Sequence, residues 1–582
     1  MRIKNYLKFG IGFLFVLGLG SCIDKDYDLS DIDGTARFTL KELTVPMNMD
    51  YITLSRVLDL PEDSKVIEEK DAGGNTFYAI KIEGTFKSDP IEISNFKAAK
   101  PNIDGKTTEL DLVDLRTAVG YIGEVTAYYD ISSEPTTFKS QTNHFDKSLK
   151  YIEKLGVNAT FSNTLKISGF NANTLKNVKI EGLKLKYPKG LTVETEKGTY
   201  DAKTGVFDLS NEVIVPDGNG NIEISIKVTE IDATQDNVKI DYENRSLVYE
   251  DNFNVIEGRV NIYADENLPD KVTFITKPEI SEIEMVEFTG NLEYNSDEFD
   301  IEPIDISGIP DILSQTGTVI ELENPQLYMN LKNPLAEYNV YFQTGLKLTA
   351  IRGDKSAEYE PDVNIVKTKK GEADKNEFVL APSMPEVLYT GYTDPQFVQF
   401  SSMKKLLAEV DGIPNEIKVE AVNPVMPEQR VEKFKIGVKR EEVEGSYAFY
   451  TKLILTKDSK IKYTDNMDGW CKEDLEKTTI QKLNINTNIT SEVPFDVELS
   501  LRPIDKMGNL IEGVKTNSVK IPAYAKDYPI ETIMEGNIQY LDGIKIDAHL
   551  INTDDKTALD PEMKIYFNNF KAKVSGHYDT EL

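Results

Sequence analysis

LNINTNITSEVPFDVELSL, residues 483–501, holds two runs of strict alternation. Asn484, Asn486 and Asn488 alternate with Leu483, Ile485, Thr487 and Ile489, which suit one buried face. Phe495, Val497, Leu499 and Leu501 then alternate with Asp496, Glu498, Ser500 and Arg502. Successive side chains of a strand project to opposite faces, so a period of two marks a half-buried antiparallel strand. The two runs are expected to pair as a hairpin.

The same period recurs along the chain. Ile222, Ile224, Ile226 and Val228 alternate with Glu223, Ser225 and Lys227, and Phe434, Ile436 and Val438 with Lys435, Gly437 and Lys439. Residues 213–222, VIVPDGNGNI, read as strand, turn and strand, because Gly, Asn and Asp tolerate the positive φ of tight turns. Asp217 and Asn221 could alternatively ligate calcium there. Helical spacing is rare: Leu149 and Ile152 within 144–155, and Met403, Leu406, Leu407 and Val410 after a Ser401 cap. Both stretches are expected as short helices whose apolar stripe is core. The chain therefore reads as all-β, tandem antiparallel β-sandwich domains with a few short helices, which disfavours doubly wound nucleotide-binding architectures.

Residues 327–342, 483–501 and 544–567 share a pattern of alternating strand, polar turn, Pro and a second strand, expected as a reused supersecondary unit. The first copy, with Asn333-Pro334 at its turn, resembles the seven-stranded sandwich of late-embryogenesis-type domains, a resemblance that bears on fold alone. Strand onsets and charged, Pro-bearing stretches place domains at 39–160, 161–300, 301–440 and 441–582, after a signal segment (1–21) and a tether (22–38).

The amino-terminal region decides location. Arg2, Lys4 and Lys8 precede an apolar run from Phe9 to Leu19, followed by Leu19-Gly20-Ser21-Cys22. A bilayer-spanning helix needs roughly 20 apolar residues; this run is shorter and matches a cleaved secretory signal. Leu-Gly-Ser-Cys resembles the lipobox of bacterial lipoproteins, which implies acylation of Cys22, with palmitate or similar chains, and a lipid anchor in the outer membrane. Asp24, Asp26, Asp28, Asp31 and Asp33 follow at once. A calcium loop of the EF-hand type would need Gly and Glu where Leu29 and Thr35 stand. The run also suits a solvated, self-repelling tether. It resembles the surface-export signal of Bacteroidota lipoproteins, which implies display toward the cell exterior.

Composition excludes more than it selects. A net charge of −32, with no Lys/Arg-rich stripe, argues against nucleic acid as a partner. Only Cys22 and Cys471 are present, so an acylated Cys22 leaves no intramolecular disulfide, and Cys471 is expected as a buried structural thiol. The three histidines, His144, His549 and His577, are scattered, and His549 falls on the exposed face of an alternating run. No HExxH, G-x-S-x-G or P-loop motif occurs, so neither a catalytic residue, a metal nor a cofactor is assigned. Trp470, the single tryptophan, stands in TDNMDGWCKEDLEK, either buried or exposed as a partner anchor. The functional expectation is a non-catalytic, lipid-anchored surface protein that binds a protein or glycan or serves a structural role. Two alternatives stay open: an accessory subunit of an outer-membrane glycan-uptake or fimbrial complex, and a glycoside hydrolase built on two carboxylates.

Overall fold

The computed structural model describes residues 35–581 apart from 47–50, 59, 63, 123–124, 143, 265–267, 297–298, 307 and 472–475. Cys22 and the five tether aspartates lie outside the described residues. Five β-sheets account for the architecture. Sheet I has six strands and joins Thr35–Pro46 and Tyr51–Thr53 to Lys564–Glu581, Thr478–Ser491, Tyr528–Gln539 and Lys515–Thr516. Sheet II has four strands: Lys460–Met467, Gly543–Asn552, Phe495–Ile504 and Ser518–Ile521. Sheets I and II pack into a sandwich around Ile480, Leu483, Met534, Ile538, Leu541 and Ile544. The first described strand lies antiparallel along the last, from Thr35 opposite Glu581 to Pro46 opposite Lys571.

Sheet III, with twelve strands, runs through the middle of the chain from Phe96–Ala98 to Glu416–Lys435. Sheet IV, with seven strands, includes Val125–Asp130 and Ser246–Ala264; sheet V, also with seven, includes Thr76–Pro90, Gln326–Leu331 and Glu442–Lys452. One continuous apolar core joins sheets III, IV and V. Phe161 of sheet III meets Phe253 of sheet IV at 6.2 Å between ring centroids. Buried rings of this size each remove a large apolar area from water, on the order of 2–3 kcal/mol apiece. Ladder pairs among the described residues are antiparallel, except that Asn376–Ala381 and Gln396–Gln399 run parallel. Among the described residues no helix is long and apolar enough to cross a membrane.

The alternating runs form strands as expected, with Ile222 to Val228 in Asn221–Asp232 and Phe434 near the end of Glu416–Lys435. Ile436 is buried beyond that strand's end, and Val438 is exposed. Four expectations are corrected. Residues 149–155 are not helical but open the 20-residue strand Leu149–Ser168. Register shifts against Ile283–Asn295 skip one residue twice, so the buried Leu149, Ile152 and Leu155 fall three apart. Two bulges thus imitate a helical period. Ser401–Lys405 is a short 3-10 helix with no side-chain cap, although Met403, Leu406, Leu407 and Val410 are all buried. Ser401 instead donates its hydroxyl to Asp362 at 2.6 Å.

The 483–501 runs do not pair as a hairpin: Thr478–Ser491 belongs to sheet I and Phe495–Ile504 to sheet II. The other two copies of the repeat behave alike. Gln326–Leu331 lies in sheet V and Gln343–Arg352 in sheet III, while Gly543–Asn552 lies in sheet II and Lys564–Glu581 in sheet I. The repeated unit is therefore a crossing between sheets. At the first crossing the buried Asn333 donates through Nδ2 to Val340 O at 3.0 Å and accepts the Leu335 N–H at 3.0 Å, which closes the turn.

The sequence divisions do not follow sheet limits either. Leu149–Ser168 runs through residue 160, and sheet V pairs Asp300–Ile301 and Glu442–Lys452 with Thr76–Pro90, across the divisions near 300 and 440. Sheets shared by distant segments carry no compositional mark at their seams.

Candidate binding cleft

The outward face of sheet V is built from alternate residues of strands that the register aligns row by row. Asp300 lies opposite Lys87, and Lys87 opposite Glu444. The Glu444 carbonyl accepts the Lys332 N–H at 2.8 Å, which brings Lys332 to the same level. The next row holds Glu302, Thr85, Ser446 and Asn330: Thr85 is opposite Ser446, and Ser446 opposite Asn330. Glu302 joins through its N–H to Thr85 O at 3.2 Å. With Asp374 at one side, these residues line an open cleft of about 510 Å³. Its floor is a grid of donors and acceptors, because every second residue of each strand points the same way.

Both lysines of the cleft are paired, whereas Asp300, Glu302 and Asp374 pair with no cation among the described residues. Lys332 Nζ lies 3.0 Å from Glu441 and 3.1 Å from Glu444, and Lys87 Nζ 3.9 Å from Glu442. The Glu302 carboxylate accepts both the N–H and the hydroxyl of Thr85 at 3.1 Å. Below the floor, the buried Tyr447 donates its hydroxyl to the carbonyls of Glu302 (2.9 Å) and Pro303 (3.1 Å). That bond fixes the 300–303 segment, one wall of the cleft. Burial, helped by the charge of Glu302, pushes the Tyr447 hydroxyl up to about 12, so it stays protonated and can donate at physiological pH. The Asn330 Oδ1 is sealed from solvent without a hydrogen-bond partner.

Beyond these rows the same face turns aromatic. Ala448, Tyr328 and Val379 continue across the strands, with Phe77, Ala79 and Tyr450 in the same small cluster. The parallel joining of Asn376–Ala381 to Gln396–Gln399 needs a crossover, and residues 382–395 make it over this face. They bring Tyr389 and Tyr392 down onto Tyr328, at 5.7 and 4.9 Å between ring centroids. Such ring pairs add about 0.5–1.5 kcal/mol beyond area burial. The Tyr389 hydroxyl donates to Glu83 at 2.5 Å, and Lys81 Nζ sits 5.2 Å from the Tyr389 ring centroid. Tyr392 stays half-buried outside the cleft lining and borders it through its hydroxyl, which meets Ser446. Burial above all, with the charge of Glu377, pushes the Tyr392 hydroxyl up to about 12. Polar grid and tyrosine edge thus form one surface.

The side chains singled out in the sequence are placed elsewhere. Trp470 is half-buried and packs against the core of the sheet I and II sandwich. Its turn is held by the buried Asp542, whose carboxylate accepts the N–H of Gly469 at 3.1 Å and of Cys471 at 2.8 Å, while its carbonyl accepts that of Trp470 at 2.8 Å. Cys471 is half-buried, short of the full burial expected, and desolvation pushes its thiol up. His144 and His549 are exposed, and His577 lies 3.7 Å from Asp579. Asp217 accepts the N–H groups of Asn219 and Asn221, both at 2.8 Å, which is the work of a turn. Among the described residues no three His, Cys, Asp or Glu side chains gather as a metal-ligand set. The cleft escaped sequence reading because it draws on residues near 85, 300, 330, 374 and 445; the only part inside a quoted motif is Asn330 and Lys332.

No family model matches the chain, and no curated protein matches it. Among solved structures it is similar to a chain described as a "putative secreted protein" from Parabacteroides distasonis, with a TM-score of 0.34 and 15% identity. The match covers 50% of this chain and 89% of that one.

Proposed function

We propose that this chain is a non-catalytic binding protein, held at the outer membrane by lipid on Cys22 and facing the cell exterior, with the outward face of sheet V as its binding surface. The observation that carries the proposal is the open cleft of about 510 Å³, a size typical of ligand sites, whose floor is exposed at Thr85, Lys87, Glu444 and Ser446 and bordered by the half-buried Tyr392. The lipobox-like Leu19–Cys22 supports anchoring, since two or more acyl chains hold a protein stably where one does not. Residues 23–34 separate Cys22 from the Thr35–Pro46 strand, and a segment of that length spans at most about 40 Å. The sandwich of sheets I and II is then the membrane-near part, and the cleft belongs to a different sheet. Aspartates 24, 26, 28, 31 and 33 support outward orientation.

The test is fractionation and protease shaving of intact cells. Wild-type protein should stay with the outer membrane and be degraded by external protease, and Cys22→Ala should release it from membranes. A protein protected from external protease, or a Cys22→Ala variant still processed and membrane-bound, would refute the proposal. A tightly co-purifying membrane partner would instead make it an accessory subunit.

A further inference from the structure

We infer that the cleft on sheet V takes a neutral oligosaccharide, laid across the strands with one sugar face against Tyr392. This rests on the binding role proposed above and adds the chemical class of ligand.

The floor is the first ground. Neighbouring strands stand about 4.8 Å apart, so the row Asp300, Lys87, Glu444, Lys332 alternates acceptor and donor at steps comparable to one pyranose ring. The row Glu302, Thr85 and Ser446 supplies carboxylate and hydroxyl groups beside it, while the Asn330 Oδ1 is sealed from solvent. Sugar hydroxyls both donate and accept, and a grid of mixed donors and acceptors can satisfy both roles.

Charge is the second ground. Lys332 is already flanked by Glu441 and Glu444, and Lys87 faces Glu442, so a polyanion would find no unpaired cation there and would meet a chain of net charge −32. A polycation laid along the same row would place its charges beside Lys87 and Lys332. The carboxylates of Asp300, Glu302 and Asp374, which pair with no cation among the described residues, can each accept sugar hydroxyls without breaking either lysine pair. Binding of a polycation to them is the charged alternative that the titration separates.

The tyrosine edge is the third. Tyr392 is backed by Tyr328 at 4.9 Å and is held at Ser446 on the cleft border. An aromatic face offers apolar area at low entropic cost, which suits the C–H face of a sugar ring. Peptides also use such rings, so peptide binding is an outcome the experiment must separate.

The experiment is calorimetric titration of the full chain in detergent with cellohexaose, maltohexaose, mannohexaose and xylohexaose, alongside hexagalacturonate and hexalysine. At least one neutral hexamer should bind with Kd below about 1 mM. That affinity should fall about tenfold or more in Tyr392→Ala. Because Tyr392→Ala could disturb the crossover, Glu444→Gln, an exposed floor substitution, should independently weaken the same hexamer several-fold. No binding of any neutral hexamer, tighter binding of either charged oligomer, or binding untouched by both variants overturns the inference. Outward display is read by protease shaving without any ligand, so its failure is distinguishable from failure here.

Discussion

The ring of Tyr447 occupies the space that a Cβ on Gly84 would need: an added methyl would sit 2.4 Å from Cζ and from the hydroxyl oxygen. The two residues are opposite one another on paired strands, and Phe86 covers Gly445 in the same way, with Cζ 2.2 Å from the Cβ position. Aromatic rings laid over strand glycines pin register beneath the cleft floor. Gly84→Ala should therefore cost about 1–3 kcal/mol through overpacking, read as a lower urea midpoint, and an unchanged midpoint would contradict this packing.

Tyr447→Phe separates the ring from its hydroxyl. The ring keeps covering Gly84, but the bonds to the Glu302 and Pro303 carbonyls are lost. A cost of about 1 kcal/mol is expected, together with faster hydrogen exchange at residues 300–302. Full protection of that segment in the variant would show that the wall is held by something else.

How far these features could be read in advance depends on how local they are. Alternation at 222–228 needs only neighbouring residues, and it reads correctly. The 149–155 stretch fails because two bulges turn a period of two into a spacing of three, and bulges are set by the partner strand Ile283–Asn295. The 483–501 stretch fails for a related reason: Glu492, Val493 and Pro494 make as short a link as a hairpin loop, yet they carry the chain from sheet I to sheet II. Nothing local distinguishes the two uses. The cleft is further out of reach, since its two rows are aligned only by pairing among strands hundreds of residues apart.

Asp542 offers a fluorescent readout, because Trp470 is the only tryptophan. Asp542 is 8% exposed, and its carboxylate holds the N–H groups of Gly469 and Cys471. Asp542→Ala leaves both without their acceptor and should cost about 1–3 kcal/mol. Trp470 emission should shift to the red as its turn loosens. An unshifted spectrum with unchanged stability would contradict the role given to Asp542.

Asn163 is the opposite case. It is 0% exposed on Leu149–Ser168, between the buried Phe161 and Leu165 on the same face, and neither amide atom has a hydrogen-bond partner. Burying an unpaired amide is costly, so Asn163→Leu, which keeps the same branched side-chain skeleton, should stabilise the fold by about 1 kcal/mol or more. A loss of stability would show that an internal water satisfies the amide.

Acid should loosen the turn after Gly543–Asn552. Asp554 accepts the Lys556 N–H at 2.9 Å and the hydroxyls of Thr557 (2.5 Å) and Tyr524 (2.8 Å), and these bonds hold its carboxyl down at about 2. A depressed folded-state value stabilises above the ordinary value near 3.8 and is lost as pH falls toward about 2. Asp554→Asn should flatten the stability profile within that window and leave it unchanged above pH ~5. An identical acid profile in the variant would contradict the assignment.

Outward display of the sheet V cleft is tested most directly by placing a thiol on its floor. Ser446→Cys in a Cys471→Ser background puts one exposed thiol there, where Ser446 is exposed and lines the cleft. A membrane-impermeant maleimide should label intact cells as fully as lysed ones. Labelling that appears only after lysis would place the cleft inside the cell envelope and contradict an outward-facing binding protein.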